Sequence, residues 1–336
     1  RCNCYSSELC ILERNKIMDN YVINGSQRIS QYHFANSHLI TSAAQHVIDR
    51  FYAVSNGANS TGAWVNGDST HKKVYKITGA AGVTSTIYGT RLTSEDTKEL
   101  AGSTVCLAAD ISNSLLTSAS WELYYAGANN NDFGTVASPN RTLIDSGTFN
   151  VNGTMSRYSA DIAIPSAATT GLEIVFKTGA QISGDVQYSH ISLREGAGNS
   201  DFISLSKPLE LVQCQHFYEK SFLEEIEPVQ NCGATNDGEV QFAAYLTGAN
   251  YCYAFIPFKV KKFRNAATDN RTVITTYNPK AANAEAYNLV KSLSCTDVTI
   301  ANNWDSGFRI RVTNVATGGV NDILGIHWTA KSEIVI

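Results

Sequence analysis

Short segments in which apolar and polar side chains alternate recur along most of the chain, and this period of two most limits what the chain can fold into. Lys73-Val-Tyr-Lys-Ile-Thr78, Ser120-Trp-Glu-Leu-Tyr-Tyr125, Leu172-Glu-Ile-Val-Phe-Lys177 and Val186-Gln-Tyr-Ser-His-Ile-Ser-Leu193 are examples. A strand turns successive side chains to opposite faces, so alternation over about six residues builds a sheet with one buried side. Clusters of turn-forming residues separate the segments, as in Gly127-Ala-Asn-Asn-Asn-Asp-Phe-Gly134. Strands at this spacing without intervening helices predict an all-β protein of two antiparallel β-sandwich, jelly-roll-like domains. Composition agrees. Charged residues are 17% of the chain, below the ~25% of typical soluble domains, and Ser, Thr, Asn and Gly carry the polar load instead.

One segment departs from the pattern. Pro208-Leu-Glu-Leu-Val-Gln-Cys-Gln-His-Phe-Tyr-Glu-Lys220 opens on a proline and spaces its apolar residues near i, i+3 and i+7, which predicts a short helix of about three turns. The division that follows is an N-terminal entry or attachment segment over 1–18, a jelly roll over 19–206, a helical connector over 207–222 and a C-terminal sandwich over 223–336. Leu211, Val212, Cys214, Phe217 and Tyr218 give the connector apolar residues on more than one face. They are candidate oligomer-interface residues, to be buried against neighbouring copies around a three-fold axis.

Several function classes are excluded. With a net charge of -4 and no broad basic footprint, the chain is not expected to bind nucleic acid. No apolar run approaches the ~20 residues of a spanning helix, so no membrane insertion is expected. Phosphate-cradling loops, nucleophile elbows and His-Glu-x-x-His are absent, and no cofactor and no catalytic residue is assigned. Asp110, Glu122, Asp161, Glu173 and Asp185 are carboxylates that a glycosidase pair would draw on, but alternation along strands places such residues on solvent faces. Cys2, Cys4 and Cys10 are one ligand short of a closed zinc site, and the spacing of His33, His38 and His46 fits no zinc pattern, so no metal is expected. Cys106, Cys214, Cys252 and Cys295 lie singly in apolar segments and are expected as unpaired core thiols.

The order of several motifs is more specific. Asn20-Tyr-Val-Ile-Asn-Gly-Ser-Gln-Arg-Ile-Ser-Gln31, Val47-Ile-Asp-Arg-Phe-Tyr52, Leu100-Ala-Gly-Ser-Thr-Val-Cys-Leu107, Ile191-Ser-Leu-Arg-Glu-Gly196 and Leu209-Glu-Leu-Val-Gln-Cys-Gln-His-Phe-Tyr-Glu-Lys-Ser221 follow one another along the chain. This series resembles phage structural proteins that carry a carbohydrate-binding-module-like jelly roll. The sequence departs from that pattern at Gln27, where the family has a phenylalanine, and near Met155, where it commonly has a tryptophan. The resemblance implies a bacteriophage tail fibre or receptor-binding protein: a homotrimer assembled in the host cytoplasm and displayed on the virion exterior. It would join other virion proteins through its N-terminus and contact a host cell-surface glycan or receptor. The alternatives are a purely structural head fibre or decoration protein and a polysaccharide depolymerase.

A sugar ring is held by an aromatic face with polar neighbours to orient it. In the 120–125 segment Trp121, Leu123 and Tyr125 share one face, and Glu122 and Tyr124 the other. Trp304 and Tyr277 lie beside Asn- or Asp-containing turns nearer the C-terminus. The candidate carbohydrate contacts are therefore Trp304, Tyr277, Trp121, Tyr124 and Tyr125, with Trp304 ranked first; the alternative for the 120–125 segment is that Trp121 and Tyr125 are core and Tyr124 an ordinary exposed tyrosine.

Overall fold

Alternating β-branched and aromatic residues do form strands, and the strands pair antiparallel throughout. A computed structural model describes residues 20–33, 37–233, 238–244, 251–264, 272–282, 286–295, 297–313 and 322–336. Cys2, Cys4, Cys10 and the expected attachment segment lie outside the described residues. The chain divides into two compact units; the first holds the stretch up to Glu210 apart from 30–34, together with 334–336, and the second the remainder.

The first unit supplies β1 (His38–Ile40), β2 (Gln45–Ile48), β3 (Phe51–Asn56), β4 (Ser60–Asn66), β5 (Lys73–Thr78), β6 (Ser85–Leu92), β7 (Thr104–Asn113), β8 (Ser118–Ala126), β9 (Arg141–Asn150), β10 (Ser156–Ala163), β11 (Leu172–Thr178) and β12 (Asp185–Glu195). They form two six-stranded sheets, ordered β1-β4-β5-β12-β7-β10 and β2-β3-β6-β11-β8-β9. Neighbours far apart in sequence sit side by side, as jelly-roll connections require. Between the layers a column of rings crosses from one sheet to the other: Phe51 on Tyr88 (5.1 Å), Tyr88 on Tyr75 (5.0 Å) and Tyr88 on Tyr188 (4.8 Å). Burying rings of this size is the main stabilising term of such a core, about 1.5–3 kcal/mol for each large side chain. Burial pushes all three tyrosine phenols above their usual range.

The second unit supplies β13 (Tyr218–Lys220), β14 (Val240–Ala243), β15 (Tyr251–Pro257), β16 (Val273–Tyr277), β17 (Ala286–Asn288), β18 (Leu293–Cys295), β19 (Val298–Trp304), β20 (Gly307–Thr313) and β21 (Ile323–Lys331). β21 is the spine of the larger sheet and pairs with β13, β14, β16 and β17. A three-stranded sheet, β15-β20-β19, forms the other layer. Cys252 and Ile256 of β15, Phe308, Ile310 and Val312 of β20, and Leu324, Ile326 and Trp328 of β21 meet in one buried cluster.

The helix is shorter than its pattern suggests. It runs Lys207–Gln215, and Tyr218–Lys220 instead pairs with Lys331–Thr329 of β21. The open edge of a long strand outcompetes a marginal last helical turn. This also corrects the expected oligomer interface. Cys214, Phe217 and Tyr218 are buried within the second unit, Phe217 against Phe263 (5.2 Å) and Tyr218 stacked on Tyr32 (3.9 Å). Of the five residues, Leu211 is half-buried and Val212 exposed. Among the core thiols, burial pushes Cys106 and Cys295 up to about 11. No described helix is long and apolar enough to cross a membrane.

Candidate functional site

The outer face of β15-β20-β19 carries large side chains that core packing does not explain. In β15, Cys252 and Ile256 point inward, which leaves Tyr251, Tyr253 and Phe255 on the solvent side. In β20, inward Phe308, Ile310 and Val312 alternate with outward Arg309 and Arg311. Strict alternation in β19 would put Trp304 on the core side with Val298 and Ile300. A bulge between Ile300 and Asn302 shifts the register, so Asn302 opposes Arg309 and Trp304 opposes Gly307. Paired residues share a face, and one extra residue therefore turns Trp304 to solvent.

Three exposed rings result: Tyr253, Phe255 and Trp304 at 41%, 55% and 46%. Phe255 and Trp304 meet with ring centroids 6.0 Å apart, and the Arg309 guanidinium lies 4.9 Å over the Tyr253 ring. Beside Trp304 opens a hollow of about 300 Å³ lined by Arg264, Thr272, Asn302, Asn303 and Asp305 among others. Asn303 donates its amide to the Thr272 carbonyl, and its Oδ1 is buried with no partner among the described residues. Lys261, 2.9 Å away, holds the Asp305 carboxyl below its usual value. The arrangement offers flat apolar surface edged by amide, carboxylate and guanidinium groups.

The structure separates the other expected contact residues. Trp121 faces inward at 5% exposure and packs on Phe149 (6.1 Å) and against Gly147. It offers solvent no ring and is withdrawn as a contact. Tyr124 faces outward, but the Arg141 guanidinium covers its ring at 4.1 Å and its hydroxyl donates to Glu122 (2.5 Å). Burial and that carboxylate push the Tyr124 phenol up to about 12. Tyr125 is half-buried. Tyr277, also half-buried, meets the Phe222 ring edge-on at 5.3 Å. It ends β16, whereas Thr272 precedes that strand; five residues of strand separate Tyr277 from the hollow by about 16 Å. Trp304 and Tyr277 therefore do not form one site. Tyr253 and Phe255 belong beside Trp304 and were not among the expected residues, although their alternation with Cys252 and Ile256 marked them as a shared face.

A second convergence lies on the first unit. His71, just before β5, Asp110 of β7 and His190 of β12 bring three ligand-type atoms within 4.8 Å of one another. Burial alone would raise the Asp110 carboxyl, but His190, Arg157 and His71 together hold it below its usual value.

No family model and no curated protein matches this sequence. Solved structures are similar to part of it. A putative sugar-binding protein from Bacteroides thetaiotaomicron aligns over 53% of this chain and 100% of its own, at 15% identity and a TM-score of 0.38. A CBM4 protein aligns over 52% of this chain and 100% of its own, at 10% identity and a TM-score of 0.33. The enzymatically active domain of tailspike protein 4 from bacteriophage CBA120 aligns over 53% of this chain and 22% of its own, at 15% identity and a TM-score of 0.31.

Proposed function

We propose that this protein is a non-catalytic glycan-binding protein that takes sugar on the outer face of β15-β20-β19. One observation carries the reading. Trp64, Trp121 and Trp328 are buried, whereas Trp304 is turned outward beside two further exposed rings and a polar hollow. A pyranose presents an apolar ring face to stack and hydroxyls to orient, and this face has a counterpart for each. Asp305 on the lining of the hollow can accept from a sugar hydroxyl, and Arg264 on the same lining can donate to one.

The carboxylates open to a hydrolytic reading are already engaged. Glu173 takes Tyr52, Arg91 and Arg141; Glu122 takes Lys177 and Tyr124; Asp110 takes two histidines and Arg157. Asp161 accepts from the Gly198 amide and Asp185 from Thr78. Release of reducing ends from host polysaccharide would identify a depolymerase instead.

The motif order over residues 20–221 supports a finer proposal: a phage virion fibre, trimeric, joined to the particle by its N-terminus, with the 223–336 region outermost. A fibre with several weak sites adsorbs by avidity, so each site needs only modest affinity. Light scattering of the full chain tests the trimer, and a monomer at micromolar concentration counts against it.

The site is tested by Trp304→Ala and Phe255→Ala. Each should weaken host adsorption and glycan-array binding by about tenfold or more, the effect of a hot spot of ~1.4 kcal/mol. Both side chains are exposed, so melting temperature should hold. Unchanged adsorption with a lowered melting temperature would show that Trp304 only supports the fold.

A further inference from the structure

We propose that His71, Asp110 and His190 form a binding site for a divalent transition-metal cation of the zinc class. Both imidazoles address the same carboxylate oxygen, Asp110 Oδ2: His71 Nε2 at 2.8 Å and His190 Nδ1 at 2.9 Å. Arg157 Nη1 takes the other oxygen, Oδ1, at 3.1 Å and fixes the carboxylate plane. Arg157 also donates to the Ser200 carbonyl and to Ser192 Oγ, which anchors it beside the cluster.

Asp68 backs the His71 ring on the side away from Asp110. Its Oδ1 lies 2.9 Å from His71 Nδ1 and also accepts the backbone N–H groups of Thr70 and His71. With its Nδ1 N–H turned to Asp68, a neutral His71 ring would present the Nε2 lone pair on the Asp110 side, the form in which an imidazole ligates a metal. A carboxylate behind a histidine whose far nitrogen meets a metal is the usual outer-shell arrangement of zinc sites.

The backbone is shaped to the same end. Asp110 and His190 come from neighbouring strands, and His71 lies two residues before the next strand over. The β12 register slips between Ser189 and Ser192, and His190 sits there at φ 46°. A non-glycine residue persists in the left-handed region only where its surroundings over-determine it, and such strain clusters at binding sites. Phe202 stacks on the His190 ring at 4.3 Å and 9°, fixing its plane. A hollow of about 300 Å³, lined by His71, Asp110, Met155, Arg157 and Phe202 among others, opens beside the cluster and leaves room for a fourth ligand such as water.

Ligand type selects the ion. Two imidazoles and one carboxylate suit zinc and its neighbours, whereas calcium and magnesium prefer all-oxygen sets. Tetrahedral zinc at ~2.1 Å from each donor sets donors about 3.4 Å apart, so the two contacts to Asp110, now 2.8 and 2.9 Å, would open by about half an ångström, with the two imidazole nitrogens, at most 4.8 Å apart, brought to the same spacing. The bound ion would clip adjacent strands of one sheet together.

The test uses the full chain with Cys2, Cys4 and Cys10 changed to serine, which removes the N-terminal thiols as competing ligands. After chelator treatment, Zn²⁺ titration should show one tight equivalent and raise the melting temperature, and Co²⁺ should give the strong visible bands of a low-symmetry site. His190→Gln should abolish both responses, with circular dichroism reporting whether the fold is kept. Asp68→Asn, at an exposed position, keeps all three ligands and should weaken binding by about 10–100-fold. No stoichiometric binding, or binding unaltered in both variants, would overturn the site.

Discussion

Gly307 shows how a single missing side chain shapes the exposed face. A Cβ there would lie 2.6 Å from the Ile256 carbonyl oxygen and 2.7 Å from the Phe255 ring, closer than such atoms approach. The Phe255 ring uses that space to lie across β20 and meet Trp304. Gly307→Ala should push the ring aside and reduce glycan affinity by roughly fivefold, an effect of ~1 kcal/mol. A binding isotherm that matches the parent protein would remove Phe255 from the site. Part of this face was legible in the sequence, because Tyr251-Cys-Tyr-Ala-Phe-Ile alternates cleanly and only one of its faces can be core. Trp121 stayed open between core and contact for a related reason. Its alternation with Glu122 says that the two lie on opposite sides, but Phe149 and Gly147, which close over the indole, belong to β9 and arrive only through pairing.

At the scale of elements, the β19 bulge matters more than the strand itself. Val298-Thr-Ile is made of β-branched residues suited to a strand, yet nothing in Ala-Asn-Asn announces an inserted residue, so the outward turn of Trp304 could not be read in advance. Deleting Ala301 should restore alternation and drive Trp304 toward the Val298 and Ile300 side. The cluster there is already filled by Phe308 and Ile310, so the variant should lose glycan binding and melt lower, since overpacking typically costs about 1–3 kcal/mol. Parent-like affinity in a folded deletion variant would show that the outward indole is not the contact. The helix after Lys207 illustrates the same limit. Pro208 marked its start correctly, whereas its end was set by the edge of β21, more than a hundred residues away in sequence.

At the scale of the whole molecule, period-two alternation was enough to read two-layer, all-antiparallel architecture. The histidine–aspartate cluster was not readable, because residues 71, 110 and 190 meet only once the sheet order is fixed. The same assembly buries His327 in the central strand of the second unit. Phe222 stacks on its ring at 4.3 Å, Ser221 Oγ lies 3.1 Å from Nδ1, and Nε2 has no partner among the described residues. Burial lowers its pKa from 6.5 to about 4. Between those values the unfolded chain binds a proton that the folded chain refuses, so stability is complete above about pH 6.5 and falls as pH drops toward 4. A shift of this size corresponds to about 3 kcal/mol, a sizeable fraction of a domain's net stability. His327→Phe removes the titrating group, and Ser221 Oγ still accepts from the Trp328 amide at 2.9 Å. The variant should therefore melt with a flatter pH dependence than the parent across this window. Identical slopes in the two proteins would mean that carboxylate titration elsewhere, not the buried imidazole, governs the acid sensitivity of this fold.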